Sequence, residues 1–120
     1  MQIQVNTDDH IHGGESLAQW VQEEARSRLA RFRDSITRLE VFLSDLDGGK
    51  SGINDKRCRL EARVAGRQPV SVTAEADKMA TAFIDAVDKL NRLLDTELGR
   101  VKDRHGRDTI RAVQEPQQEE

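Results

Sequence analysis

The sequence predicts an α+β fold with the element order β-α-β-β-β-α. In four short stretches apolar and polar residues alternate, which is the pattern of strands with one buried face. In two longer stretches apolar residues recur every three or four positions, which indicates amphipathic helices. The simplest arrangement is a four-stranded mixed sheet with both helices packed on one face and the other face in solvent.

The first third of the chain is expected to form strand 1 and helix 1. Residues 1–7 alternate and predict the strand, and residues 8–15 predict a loop. Ser16 is a candidate helix cap, because its hydroxyl can accept from the free N–H groups of a first turn. The helical spacing that follows covers residues 17–32.

Three consecutive strands are expected next. Alternation over 38–44 predicts strand 2, and the glycine-rich segment 46–55 predicts a loop to strand 3. Residues 57–64 predict strand 3, and after a short turn residues 70–75 predict strand 4. Hairpins therefore add strands 3 and 4, whereas helix 1 connects strands 1 and 2 in parallel.

A long amphipathic helix ends the predicted domain. Asp77 is a plausible cap, and the apolar spacing begins at Met79 and stops at Gly106. The polar, acidic segment 106–120 is predicted to be a disordered tail, so the single domain is placed at 1–105.

Composition excludes several classes of protein. Aromatic residues make up only 3% of the chain, which argues against binding single-stranded nucleic acid mainly by stacking. The net charge of −3 means that any attraction to phosphate must be local. One cysteine cannot form an intrachain disulfide, and neither a membrane span nor a secretion signal is visible, so a soluble cytoplasmic protein is expected.

Candidate chemical sites are weak. Gly49-Lys50-Ser51 lacks the earlier glycine and the following helix of a phosphate-binding loop. Cys58 lies on the apolar side of strand 3, where a buried, unreactive thiol is expected. No enzyme, catalytic residue, metal or cofactor is predicted. The first loop also holds a group of metal-ligand residue types without recognised spacing: Asp8, Asp9, His10 and His12.

Local clusters of basic residues remain. Helix 1 ends in RSRLARFR, an octapeptide with four arginines and no acid, and basic residues also gather late in helix 2. Arginine suits phosphate oxygens, whereas cations at a helix C-terminus also complement the helix dipole. Charge alone favours the second interpretation. The arginines of the octapeptide are Arg26, Arg28, Arg31 and Arg33.

Three stretches in this order resemble one known family. They are 36–44 (ITRLEVFLS), 74–79 (AEADKM) and 82–90 (AFIDAVDKL), which looks like that family's second-helix signature. The family is that of the ribosome hibernation promoting factors and ribosome-associated inhibitors, also described as sigma-54 modulation proteins. The chain is similar to its short form, which lacks a second, dimerising domain.

The resemblance implies a fold similar to double-stranded-RNA-binding domains and a non-catalytic role. Members bind the small ribosomal subunit in the mRNA and tRNA channel, inhibit translation and hold ribosomes inactive under stress. Basic side chains contact 16S rRNA phosphates, and no DNA, membrane or small-molecule substrate is implied. An alternative is a protein-interaction module of the same fold, because the surface charges are of mixed sign. The candidate rRNA-binding residues are Lys89, Arg92, Arg100, Lys102, Arg104, Arg26, Arg31 and Arg33.

Overall fold

A computed structural model describes residues 1–8, 11, 14–46 and 55–109, and for 99–109 the backbone only. In chain order the elements are β1 (Gln2–Thr7), α1 (Gly14–Arg28), a 3₁₀ turn (Ala30–Phe32), β2 (Ile36–Asp45), β3 (Lys56–Val64), β4 (Val70–Ala76) and α2 (Met79–Thr109). This order confirms the predicted α+β class.

The four strands form one mixed sheet in the order β1-β2-β3-β4. β1 runs parallel to β2, with Ile3 beside Leu39, and the two later pairs are antiparallel, with Cys58 between Leu43 and Ala74. The sheet confirms the predicted connections. β1 and β4 are therefore its two edges.

The core lies between one face of the sheet and the helices. Leu39, Val41 and Leu43 of β2 are buried, whereas the residues between them are half-buried or exposed. From α2, Phe83 is completely buried and meets the Trp20 ring of α1 edge-on, with ring centroids 5.5 Å apart. Both helices thus cover the same face, as predicted.

Helix 1 differs from its prediction at both ends. It begins at Gly14, two residues before Ser16, with a φ of 48° that costs glycine little. It ends at Arg28, and the chain tightens into the 3₁₀ turn instead of continuing as an α-helix to Phe32. Because a 3₁₀ turn repeats every three residues, it keeps Leu29 and Phe32 on one side, and both are buried.

Helix 2 also differs at its ends. The carbonyl of Lys78 accepts from the Ala82 N–H at 3.0 Å, so Lys78 holds the cap position that the sequence favoured for Asp77. The helix continues through Gly106 to Thr109, because one glycine costs a helix only about 1 kcal/mol. The disordered tail was predicted to begin at 106, but residues 106–109 continue the helix, and residues 110–120 lie outside the described part of the chain.

An acidic corner closes the base of the β2–β3 hairpin. Asp45 and Asp55 are both buried, and Lys56 Nζ lies 3.5 Å from Asp45 Oδ2 and 3.0 Å from Asp55 Oδ2. The Asp8 carboxylate accepts from the backbone N–H of Asp45 at 3.1 Å, which ties the end of β1 to this corner. Lys56 is thus the cation that compensates two buried carboxylates.

The acidic corner predicts a stability change at high pH. Hydrogen bonding to Asp55 raises the pKa of Lys56, with partial burial opposing it and the charge of Asp45 adding to it. Because the folded pKa lies above the unfolded value, Lys56 stabilises the fold below about pH 10, and this contribution is lost as the pH rises through the folded pKa. We expect Lys56→Met to lower the free energy of unfolding at neutral pH, and the difference from wild type to shrink above about pH 10.5.

Urea unfolding of both proteins across this pH range measures that difference. Lys78→Met is the matched control, because Lys78 is exposed and makes no ion pair within the described residues. A difference that stays constant to the highest pH would show that the ammonium of Lys56 is not what stabilises the corner.

Candidate nucleic-acid interface

The structure divides the described candidate cations into two groups, one at and just after the end of α1 and one on α2 beside β4. On one side, Asn91 and Asp95 of α2 face the end of α1, where Asn91 Nδ2 donates to the Arg28 carbonyl at 3.1 Å. On the other side, Lys89 faces β4. The backbones of residues 100, 102 and 104 lie on α2, but their side chains are outside the described part of the chain.

The helix-end cluster, Arg26, Arg28, Arg31 and Arg33, is partly neutralised. Arg28 Nε pairs with Glu24 at 2.9 Å, and Arg31 forms a two-pronged pair with Asp95 while its guanidinium carbon lies 4.8 Å from the Phe32 ring centroid. Arg26 donates to the Met1 carbonyl at 3.2 Å. Arg33 is exposed and, within the described residues, makes no ion pair. The octapeptide contains no acidic residue, but two carboxylates from outside it, those of Glu24 and Asp95, pair with its arginines.

The α2 pair, Lys89 and Arg92, borders β4. Lys89 Nζ donates to the Thr73 carbonyl at 2.8 Å, whereas Arg92 is exposed and has no hydrogen-bond or ion-pair partner among the described residues. Both line a shallow groove of about 270 Å³. Three carboxylates share its walls with the two cations, so this side of α2 is not a purely basic patch. They belong to Glu75, Asp85 and Asp88.

The open sheet face, formed by the outward side chains of β2 and β3, is balanced by internal ion pairs. Arg38 pairs with Glu40 at 3.2 Å, and Arg59 pairs with Glu61 while its guanidinium carbon lies 4.3 Å from the Phe42 ring centroid. Arg57 pairs across the strands with Glu75 at 2.7 Å. Arg63 remains exposed and unpaired within the described residues.

A second, more apolar groove lies at the β3–β4 turn. It has a volume of about 650 Å³ and is bordered by an ion pair between Arg67 and Glu97 at 3.6 Å. Its apolar walls come from both the turn and α2. They are formed by Val64, Pro69, Val70, Leu94 and Leu98.

The single cysteine is placed as predicted. Cys58 is completely buried, and this burial raises the pKa of its thiol to about 12. The thiolate that a nucleophile or ligand requires is therefore not formed near neutral pH. The burial of the thiol that the sequence indicated is confirmed.

Other sequence patterns fall partly beyond the described part of the chain. Residues 9, 10 and 12 of the candidate metal cluster and the stretch 49–51 lie outside it. The described residues contain no group of three or more His, Cys, Asp or Glu side chains that could hold a metal ion. Among them, no helix combines the length and apolar character needed to cross a bilayer.

Comparisons with known proteins agree on one family. Residues 3–102 match the family described as Sigma 54 modulation protein / S30EA ribosomal protein. The Thermus thermophilus Protein Y N-terminal domain is 25% identical, with a TM-score of 0.63 and coverage of 80% of this chain and 98% of that one. A ribosomal subunit interface protein from Coxiella burnetii is 19% identical, with a TM-score of 0.62 and coverage of 82% and 99%, and supports the fold. No curated protein sequence matches.

Proposed function

The chain belongs to the sigma 54 modulation protein / S30EA ribosomal protein family, and on that premise we propose that it is a non-catalytic, cytoplasmic factor that binds the small ribosomal subunit. It occupies the region of the mRNA and tRNA channel and inhibits translation or promotes ribosome hibernation under stress. The observation that carries this proposal is the family match over residues 3–102, which begins in β1 and ends in α2.

Phosphate contacts supply the affinity. Arg33 and Arg92 are exposed and unpaired within the described residues, so their planar guanidinium groups are available to phosphate oxygens. To bind phosphate, Arg31 must first break its ion pair with Asp95. The two side chains are 63% and 45% exposed, and such surface pairs contribute only about 0–1 kcal/mol, so rRNA can compete for Arg31.

Shape supplies the rest of the recognition. The one aromatic ring on the open sheet face, Phe42, is covered by Arg59, which leaves no exposed platform there for a base. A rigid domain that fits the channel blocks mRNA and tRNA by occupying their space. This mode of inhibition requires no reacting group.

Co-sedimentation tests the proposal. The purified chain is centrifuged with small ribosomal subunits through a sucrose cushion at roughly 50 to 300 mM salt. We expect it in the pellet at low salt and in the supernatant at high salt, because phosphate contacts weaken as salt rises. A chain that stays in the supernatant at every salt concentration is not a small-subunit ligand.

A second candidate function is a protein-interaction module of the same fold. The apolar groove at the β3–β4 turn and the internally paired open sheet face favour it. Capture from a nuclease-treated lysate separates the two functions. A protein partner retained after all RNA has been digested supports the module, whereas loss of all partners supports rRNA binding.

A further inference from the structure

β4 presents an open backbone edge. It is the last strand of the sheet, and Ser71, Thr73 and Glu75 are exposed. The Leu46 N–H donates to the Asp55 carbonyl across β2 and β3, and from that bond the alternation of the two ladders turns the backbone groups of Thr73 away from β3. The Thr73 carbonyl accepts from Lys89 Nζ at 2.8 Å. Because backbone direction alternates along a strand, the N–H and C=O groups of Ser71 and Glu75 point the same way.

Little within the described part of the chain occupies this edge. No turn or loop backbone bond there reaches Ser71, Thr73 or Glu75, and the Lys89 ammonium is the group that covers one carbonyl. An unpaired edge is a template for another strand, and a lysine placed over it is a common way to limit such pairing.

Two of the charged residues beside the edge are placed in a self-complementary way. Asp85 and Arg92 lie two helical turns apart on α2, line the same groove and make no ion pair within the described residues. α2 folds back along β4 with Lys89 beside Thr73. Asp85 therefore lies toward the Glu75 end of the strand, whereas Arg92 lies beyond Lys89, toward the Ser71 end.

We propose that two copies of this chain pair through β4, antiparallel, about a two-fold axis at Thr73. Each strand then bonds its outward backbone groups to the other, with roughly six hydrogen bonds across the axis. The same rotation brings Asp85 of each copy to Arg92 of the partner subunit. The product is a continuous eight-stranded sheet with a closed, isologous interface.

A second copy suits this edge better than an unrelated strand, because the same two-fold operation gives both Asp85 and Arg92, two of the charged residues that line the groove, an opposite charge. Lys89 lies near the axis, where it meets its own counterpart. Their repulsion weakens the pairing, so the dimer is expected at high protein concentration and not at high dilution.

Sedimentation equilibrium over a range of protein concentrations tests the edge. Ser71→Pro removes an outward N–H without touching a bond to β3, and proline is tolerated on edge strands. We expect wild type to dimerise and Ser71→Pro to remain monomeric. Ser71→Ala, the matched control, keeps the N–H and should dimerise like wild type. Circular dichroism confirms that each variant is folded.

Charge reversal tests the register. Asp85→Arg and Arg92→Asp should each weaken the dimer about tenfold, because each replaces two attractions by two repulsions. The double variant restores opposite charges and should recover most of the affinity. Arg33→Asp, which lies before β2 and does not line this groove, should leave the dimerisation constant unchanged.

The proposal is overturned if wild type is monomeric at all concentrations, if Ser71→Pro dimerises as well as Ser71→Ala, or if the double variant is not rescued. A dimer in which Ser71→Pro has no effect places the interface elsewhere. These measurements use no ribosomes, so their outcome is independent of the proposed function.

Discussion

Reversing Arg92, Arg100 and Lys102 to glutamate is expected to weaken binding to small ribosomal subunits about a hundredfold or more at low salt. Each basic side chain on a phosphate releases condensed counterions, so the loss of three contacts also lowers the slope of log affinity against log salt by about 3. Co-sedimentation of wild type and the triple variant over a series of salt concentrations measures both quantities.

The control for this prediction is a second triple variant. It also replaces three cations by glutamate, but at positions that are not among the candidate rRNA-binding residues. Two of these positions are on the sheet. Equal weakening by both variants would show that α2 is not the contact surface and that overall charge governs binding. Thermal unfolding should not distinguish the α2 variant from wild type, because Arg92 is exposed. The control substitutions are Arg57→Glu, Arg63→Glu and Lys78→Glu.

Truncating Phe83 to alanine is expected to cost about 3–5 kcal/mol of the free energy of unfolding. Phe83 is completely buried, and its removal leaves a cavity between α2, α1 and the sheet. It also deletes the edge-on contact with Trp20. Because domains are stable by only about 5–15 kcal/mol, this loss leaves the variant close to unfolding. Urea unfolding followed by circular dichroism gives the value.

Leu46→Ala is the matched control, since Leu46 is 47% exposed and its truncation should cost less than about 0.5 kcal/mol. A Phe83→Ala variant that loses less than about 1 kcal/mol would mean that the core can collapse around the missing ring.

The two-residue alternation of apolar and polar residues predicted the sheet well, because a strand that is buried on one face needs apolar residues at every second position. From Arg38 onwards in β2, and in β3, the alternation corresponds residue by residue to buried and outward side chains, whereas a register shift breaks it between Ile36 and Arg38. The end of helix 1 could not be predicted in the same way. Leu29 and Phe32 are three residues apart, and that spacing suits an α-helix and a 3₁₀ turn equally.

The sequence shows which candidate residues are cations, but it does not show which of them form ion pairs or hydrogen bonds within the fold. Arg31 is a cation in any interpretation of the sequence, but its partner Asp95 lies 64 residues away on another element. Lys89 likewise loses part of its freedom to the Thr73 carbonyl of β4. Which cations remain available depends on tertiary packing, and local charge patterns carry no information about it.

Trp20 gives the protein a built-in optical reporter. It is the only tryptophan, and the chain has no tyrosine, so ultraviolet emission comes almost entirely from one indole. That indole is half-buried on α1 and touches Phe83 of α2. Its emission therefore reports how the two helices sit against each other, and any change in that packing can be followed in real time without an attached dye.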